Sequence, residues 1–286
     1  MPESVGSLYI VATPIGNLED LSPRARKVLE EVDRVLCEDT RHTGQMLTRL
    51  GIATRRTSLH EHNEEEKVAE IVAGLKAGLS YALVSDAGTP LISDPGYRLL
   101  AAVRRERLPV SPVPGPCAAI AALSVAGLPT DRFCFEGFLP SRSAARRSRL
   151  DSLMNEQRTM IFYESGRRLA DTVRDCAAVL GGDRDAAVAR EMTKTFEALY
   201  RGSLGELGKQ LAADENSSRG ESVLVIAGAA GSPPEATDLA KALRVLLEFV
   251  PPSTAARIAA RIFGVPRRDA YRLATEMGAD KDPGPV

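Results

Sequence analysis

The sequence predicts an α/β protein with two α/β domains, a ligand cleft between them and a small C-terminal helical module. Three observations predict this class. Short apolar runs alternate with segments of helical periodicity, several runs end in small polar loops, and after residue 228 only helical patterns remain. The 286 residues exceed one usual domain. We assign the N-terminal α/β domain to residues 1–115, the second to 116–230, and a linker with a helix-turn-helix-like tail to 231–286.

In the N-terminal domain, apolar runs predict short strands that alternate with helices. Ser22 and Pro23 supply an N-cap and a first helical position, and apolar positions between residues 68 and 75 form a helical stripe. Because the connecting loops are short, we expect a mostly parallel sheet. The predicted strands cover residues 8–12, 34–37, a region ending near 58, 81–84 and 109–113.

The loop after residues 81–84 is the first candidate ligand site. Ligands of open α/β sheets bind outside the carboxyl ends of the strands. Gly88 allows a close approach to the backbone, and Asp86 and Asp94 bring carboxylates to its two sides. The alternative is an ordinary strand-to-helix loop in which Asp94 or Ser93 caps the next helix. The pattern leaves both interpretations open.

The second domain repeats the strand-end pattern. Residues 190–194 follow a predicted strand, and they face the Asp86 loop if the two domains face each other. A local salt-bridge cluster is the alternative interpretation of this segment. The predicted strands of this domain cover residues 133–138, 159–163, 186–190 and 222–227, and its helices cover 169–180 and 203–213.

Composition excludes several classes of protein. Hydrophobic residues make up 44% of the chain and the net charge is −1, so any nucleic-acid contact must come from local patches. Four scattered cysteines fit a reducing compartment rather than a disulfide framework, and His42, His60 and His62 lack a further ligand at metal spacing. No apolar run reaches the roughly 20 residues of a membrane span. We expect a cytoplasmic protein without a metal.

Local basic segments provide candidate phosphate contacts. The polar loop at residues 38–41 either projects into the ligand crevice or forms an internal ion pair, with Thr40 capping the next helix. Elsewhere, phosphate neutralisation competes with the simpler interpretation of solvated helix faces. The candidate arginines are Arg41, then Arg142, Arg146, Arg147 and Arg149, and in the tail Arg257, Arg261, Arg267 and Arg268.

The chain lacks the G-x-G-x-x-G and Walker-type loops, so the usual dinucleotide and phosphate-loop enzymes are not supported. Instead, seven segments occur in a family-specific order: LYIVATPIGN, CEDTR, SLHEHNE, SDAGTPLISDPG, VPGPCAAIAAL, IFYES and REMTKTFE. With these segments the chain resembles the ribosomal RNA small subunit methyltransferase I family, within the tetrapyrrole methylase fold. The resemblance implies a homodimer that uses S-adenosylmethionine to methylate the 2′-oxygen of a cytidine in 16S rRNA of the small ribosomal subunit.

The resemblance also implies which residues hold the cofactor. The PIGN-type first loop departs from the Gly-x-Gly-Pro-Gly pattern common in this fold, which argues against a tetrapyrrole substrate. Cys117 stands where many relatives of the fold carry serine. The implied cofactor-binding residues are Pro14, Asp86, Ala87, Gly88, Thr89, Ile92, Cys117, Ala118, Tyr163, Arg190, Met192 and Glu221.

A ribose hydroxyl is a poor nucleophile, so a base or a nearby cation would assist its methylation. We expect Lys194 and Glu191 to fill these roles, with Asp39 and Arg41 opposite. Two other classes remain open. A carbon methyltransferase of a tetrapyrrole precursor would not need the basic segments, and a non-catalytic RNA-binding module would not need two opposed strand-end loops.

Overall fold

The computed structural model describes residues 5–60, 63–229 and 236–279. The chain divides into two compact units, Met1–Gly228 and Ala229–Val286. His62 and residues 230–235, where the predicted linker begins, lie outside the described residues. In the described part of the chain, no helix has the length and apolar character needed to cross a membrane.

The first sheet of the larger unit has the strand order β3-β2-β4-β1-β5, and every pairing in it is parallel. This confirms the predicted parallel sheet. A short 3₁₀ helix, Leu18–Asp20, precedes α1. The strands are β1 (Leu8–Val11), β2 (Arg34–Cys37), β3 (Arg56–Ser58), β4 (Tyr81–Leu83) and β5 (Val110–Val113). The helices are α1 (Pro23–Glu31), α2 (Thr40–Arg49), α3 (Glu64–Lys76) and α4 (Tyr97–Arg105).

The central strands of this sheet are buried on both faces. Val35 and Cys37 of β2 pack into one apolar core, whereas Leu36 packs into another. Successive side chains of a strand point to opposite faces, so two layers of helices cover the sheet. Because both faces of these strands are buried, their sequences are continuous apolar runs. The strands could therefore be predicted from these runs.

The second sheet has the order β6-β7-β10-β8-β9. Only β6 and β7 are parallel, and the other neighbours are antiparallel. Strand β9 was not predicted. The strands are β6 (Phe133–Phe138), β7 (Thr159–Ser165), β8 (Asp185–Arg190), β9 (Ala198–Ser203) and β10 (Glu221–Ile226). The helices are α5 (Ala118–Ala126), α6 (Ser143–Ser152), α7 (Gly166–Leu180) and α8 (Leu204–Ala213).

Helices cover both faces of the second sheet as well. Helices α6, α7 and α8 share one core with Met160 and Phe162 of β7, while α5 packs with Ile161 on the opposite face. The chain therefore passes from the first sheet to the second between β5 and α5. This crossover brings the carboxyl end of the first sheet against one end of the second.

The smaller unit is a three-helix module of α9 (Ala236–Leu246), α10 (Pro252–Phe263) and α11 (Arg267–Ala279). Its core combines Leu239 and Leu243 with small alanines such as Ala255, which allow the helices to approach closely. Gly264 adopts a left-handed φ of 65° and ends α10. The predicted C-terminal helical module is confirmed.

Candidate active site between the two sheets

A partly enclosed cleft of about 340 Å³ lies between the ends of the two sheets of the larger unit. Its first wall consists of Ile15 and residues 86–94, which follow β1 and β4. Its second wall comes from β7, β8, the loop after β8 and β10, and consists of residues 163–165, Ala189, Glu191, Met192, Lys194 and residues 221–223. The two predicted strand-end loops therefore flank one cleft, as the sequence indicated.

Hydrogen bonds between neighbouring loops hold the first wall in place. Thr13 and Gly88 exchange backbone hydrogen bonds, with N–O distances of 2.8 and 3.1 Å. The Ser85 hydroxyl donates to the Gly88 carbonyl at 3.1 Å, and the Thr89 hydroxyl donates to the Pro116 carbonyl at 2.9 Å. Gly88 has a φ of +84°, which side chains rarely adopt. The wall is a fixed backbone surface that a ligand can approach closely.

The turn before α4 directs Asp94 toward the cleft. Leu91 and Ser93 adopt positive φ values of 73° and 68°, and Gly96 precedes the helix without a side-chain cap. The predicted cap by Asp94 or Ser93 is therefore wrong. Burial, together with the nearby carboxylates of Glu38 and Asp86, raises the pKa of Asp94 to about 6. Asp94 is a carboxyl group that changes its charge just below neutral pH.

The second wall carries an ion-paired cluster. The ammonium group of Lys194 lies 2.8 Å from Oε1 of Glu191 and 3.1 Å from Oε2 of Glu221. Burial opposes charge on Lys194, but hydrogen bonds to Glu191 and Glu221 outweigh it and raise the pKa of Lys194. Burial likewise opposes charge on Glu191, yet the Lys194 contact holds the pKa of Glu191 below its ordinary value. Both groups are charged at neutral pH, and the predicted salt-bridge cluster lies inside the cleft.

Aromatic side chains close one side of the cleft. The ring of Tyr163 meets those of Phe135 and Phe138 edge to face, at centroid distances of 4.8 and 5.7 Å. The Tyr163 hydroxyl accepts a hydrogen bond from the Ala119 amide at 3.3 Å, and burial raises the pKa of Tyr163 to about 12. Phe138 remains 59% exposed in the cleft. A neutral hydroxyl beside exposed apolar surface suits a ligand with a planar apolar part.

Most of the predicted cofactor-binding residues line this cleft. Pro14 and Cys117 do not line it, although Cys117 precedes α5 and its thiol contacts the Tyr163 hydroxyl. Ile15 and Phe138 also line the cleft and were not predicted. The residues that line it as predicted are Asp86, Ala87, Gly88, Thr89, Ile92, Ala118, Tyr163, Met192 and Glu221, together with Lys194 and Glu191.

The prediction for the Arg190 side chain is wrong. Ala189 and Glu191 line the cleft, so the residue between them points to the opposite face of the sheet. The Arg190 side chain is 6% exposed, and its guanidinium lies 4.0 Å from Asp214. Arg190 therefore belongs to the interior of the second sheet.

Asp39 and Arg41 do not line the cleft either. Asp39 is the N-cap of α2, where its Oδ1 accepts hydrogen bonds from the amides of Arg41 and His42 at 2.7 and 3.4 Å. Asp39 thus takes the capping role that was predicted for Thr40. Arg41 is 90% exposed and lies 3.6 Å from Asp39, so neither residue faces the second wall as predicted.

The basic segment of α6 is largely committed to internal ion pairs. Arg146 is 5% exposed and lies 2.6 Å from Asp175, so its assignment to RNA binding is wrong. Arg147 holds the other oxygen of Asp175 at 2.7 Å, and Arg149 pairs with Glu136. Arg147 and Arg149 nevertheless remain about half exposed, so they stay predicted RNA contacts. The other arginines that are exposed and stay predicted RNA contacts are Arg41 at the start of α2, Arg142 before α6 and Arg257, Arg261, Arg267 and Arg268 in the small unit.

Family comparisons agree with this geometry. A family model of the tetrapyrrole (corrin/porphyrin) methylases matches residues 7–208, and one of the RsmI C-terminal HTH domain matches residues 233–278. A protein of Xylella fastidiosa is 51% identical over 93% of this chain and 98% of its own length. A protein of Escherichia coli O157:H7 is 49% identical over 96% of both chains. Both relatives are named ribosomal RNA small subunit methyltransferase I.

Solved structures share the fold at low sequence identity. Uroporphyrin-III-C-methyltransferase from Thermus thermophilus has a TM-score of 0.55 and 21% identity, covering 78% of this chain and 94% of its own. Cobalt precorrin-4 methyltransferase has a TM-score of 0.57 and 16% identity, covering 77% and 94%. Together with the two-sheet cleft, the comparisons define a methyltransferase of the tetrapyrrole methylase fold that uses S-adenosylmethionine. Within this class the chain belongs to the ribosomal RNA small subunit methyltransferase I family.

The residues of the cleft fit this cofactor. Oδ1 of Asp86 is buried without a hydrogen-bond partner among the described residues, so it offers an acceptor to a polar ligand group. A Cβ at Gly88 would lie 3.3 Å from Ile15, which makes the backbone there accessible only because the residue is glycine. Ile92, Met192 and Phe138 add apolar surface. Polar and apolar contacts are thus available for a nucleoside carrying an amino-acid arm.

Proposed function

We propose that the protein transfers a methyl group from S-adenosylmethionine to the ribose 2′-oxygen of a cytidine in 16S rRNA of the small ribosomal subunit. The observation that carries the proposal is the Asp94 carboxyl, which has no hydrogen bond or ion pair among the described residues and lies in a cleft that also contains the Lys194 ammonium group. A base and a cation are the groups that methylation of a hydroxyl needs. The names of the relatives from Xylella fastidiosa and Escherichia coli O157:H7 support ribosomal RNA as the substrate.

In this proposal the first wall holds the cofactor. Asp86 accepts a hydrogen bond, the backbone at Gly88 and Thr89 contacts polar groups, and Ile92 covers apolar surface. When bound, S-adenosylmethionine supplies a methyl group carried on a positively charged sulfur. The walls orient the two reactants and exclude water from between them, which removes much of the entropic barrier.

Asp94 accepts the proton of the ribose hydroxyl in this proposal. Its pKa of about 6 makes it mostly ionised, yet basic, at neutral pH. Glu191 is the weaker candidate because its oxygens already accept hydrogen bonds from Lys194 and from the Glu221 amide. Lys194 is protonated and stabilises negative charge on the substrate rather than removing a proton.

The assembly and the location of the protein are part of the same proposal. The family resemblance supports a homodimer, and a substrate in the small ribosomal subunit implies a cytoplasmic enzyme. Among the described residues, no cluster of three or more His, Cys, Asp or Glu side chains has the arrangement of a metal site.

Transfer of labelled methyl groups tests the proposed function. Tritiated S-adenosylmethionine is incubated with the enzyme and either isolated small subunits, naked 16S rRNA or a tetrapyrrole precursor. We expect label in the small subunits, more than in naked RNA, and recovery as 2′-O-methylcytidine after nuclease digestion. Label in the tetrapyrrole alone would replace the proposal with carbon methylation, and the absence of transfer to every substrate would favour a binding module.

A further inference from the structure

A second, open pocket of about 520 Å³ adjoins the cleft and carries positive charge. Its lining comes from two places: the start of α7, with Ser165, Gly166 and Arg167, and the loop before β10, with Ser218, Arg219 and Gly220. Ser165 lines both this pocket and the cleft. The two cavities therefore share a wall at the paired ends of β7 and β10, where Ser165 lies opposite Glu221.

The two guanidinium groups of this pocket are available for a ligand. Arg167 and Arg219 are exposed, and no side-chain hydrogen bond or ion pair joins either of them to another residue in the described ranges. This distinguishes them from Arg146 and Arg147 of α6, which both hold Asp175. Free arginines next to a pocket offer forked donors that match a phosphate group.

Nearby carboxylates do not cancel this charge. Glu221, at the shared rim, pairs with Lys194, and the buried Glu164 pairs with Arg168 at 3.2 Å and accepts a hydrogen bond from the Thr172 hydroxyl. Each of these two carboxylates therefore already contacts a cation other than Arg167 and Arg219, although Glu221 shares Lys194 with Glu191. Arg167 and Arg219, which form no ion pair among the described residues, place two positive charges at the mouth of the cleft.

The backbone fixes the shape of the pocket. The Gly166 amide donates to the Gly220 carbonyl at 2.8 Å, and the Arg219 amide donates to the Asn216 carbonyl at 3.0 Å. A Cβ at Gly166 would lie only 2.7 Å from the backbone of Ser218 and Arg219. The loop thus packs directly on the start of α7, and both arginines project from anchored backbone.

We propose that Arg167 and Arg219 bind the phosphodiester groups that flank the target nucleotide, so that the RNA strand enters the cleft over Ser165. This inference rests on the proposed function. In a ribonucleotide the 2′-hydroxyl and the 3′-phosphodiester are attached to adjacent carbons, so a hydroxyl held in the cleft brings its own phosphate to the shared wall. The basic pocket lined by Arg41, Arg49 and Arg56 does not share a residue with the cleft and does not meet this requirement.

The double variant R167E/R219E tests the inference in full-length enzyme with small ribosomal subunits as substrate. We expect KM for the subunits to rise about tenfold or more, because two charge-assisted contacts are lost. The affinity for S-adenosylhomocysteine should not change. The slope of log KM against log salt should fall by about 1.4, the value for two phosphates on a single strand. The neutral variant R167Q/R219Q should show a smaller rise in KM.

The matched control is K27E/R174E, which makes the same change of charge at two exposed sites on α1 and α7. Among the described residues, each of these side chains forms an ion pair only with a neighbour on its own helix. Thermal melting checks that all variants are folded. If KM and the salt slope of R167E/R219E equal those of the control, the inference is overturned while the proposed function stands. If the unaltered enzyme does not label small subunits, the proposed function itself fails.

Discussion

The carboxyl groups of Asp94 and Glu191, on the two walls of the cleft, have pKa values shifted in opposite directions. On the first wall, Asp94 has no hydrogen bond or ion pair within the described ranges, and burial raises its pKa to about 6. On the second wall, Lys194 holds Glu191 and Glu221 at 2.8 and 3.1 Å, and the pKa of Glu191 is lowered. A carboxylate that is neutralised by an ammonium group is a weak base, whereas one destabilised by burial is a stronger base near neutral pH. The difference supports the proposal that the first wall removes the proton and the second wall stabilises negative charge.

Removing the first-wall carboxyl should have the largest effect. We expect D94N to lower kcat by about 10²–10⁴-fold, the usual contribution of a general base. Binding of S-adenosylhomocysteine should persist, because an asparagine at this position keeps the shape of the side chain. Single-turnover transfer to small subunits measures this loss. The matched variant E191Q should lose much less activity. A larger loss of kcat in E191Q than in D94N would instead assign proton removal to the second wall.

Filling the first wall should weaken cofactor binding. In G88V, a branched side chain enters the cleft next to Ile15, and we expect the affinity for S-adenosylhomocysteine to fall at least about tenfold. The control is G127V, because Gly127 has a similar φ of +75° but no atom lies within 4 Å of the place that a Cβ would take there. Calorimetric titration compares the two variants. Equal affinities would mean that the backbone around Gly88 does not contact the cofactor.

Removing the second-wall cation should have a smaller effect. We expect K194M to lower kcat by roughly tenfold, less than the loss of a dedicated oxyanion donor, because Lys194 shares its charge with two carboxylates. K194R retains the positive charge and should recover part of the rate. Full turnover in K194M, with unchanged cofactor affinity, would remove Lys194 from the chemistry.

The elements that could be predicted from the sequence are those defined by a pattern of neighbouring residues. The apolar runs of the first sheet and the two strand-end loops follow from strand burial and turn chemistry, so the cleft between residues 86–94 and 189–194 could be predicted. Strand alternation could also have shown that Arg190 points away, because its neighbours Ala189 and Glu191 face the cleft. Arg146 lies four residues before the buried Leu150, so helical spacing places both on the same face of α6. The burial of Arg146 could therefore have been predicted from this spacing.

Other features depend on contacts that no local pattern contains. The orientation of Asp94 requires left-handed backbone at Leu91 and Ser93, which neither residue type favours. The raised pKa of Asp94 requires burial by the assembled walls and Glu38 from another loop. The pairing of Arg146 and Arg147 with Asp175 joins α6 to α7, two helices that are separated in the sequence by β7. Such features follow from the packing of the whole unit.

The pH dependence of single-turnover methyl transfer tests the division between the walls most directly. Small subunits and saturating S-adenosylmethionine are used with the unaltered enzyme and with D94N between about pH 5 and 8. Because the reaction needs ionised Asp94, whose pKa is about 6, the rate of the unaltered enzyme should rise with pH through that value, where it is half-maximal, and level off above it. In D94N the slow residual rate should not show this step. The same step near pH 6 in both enzymes would contradict the assignment of Asp94 as the base.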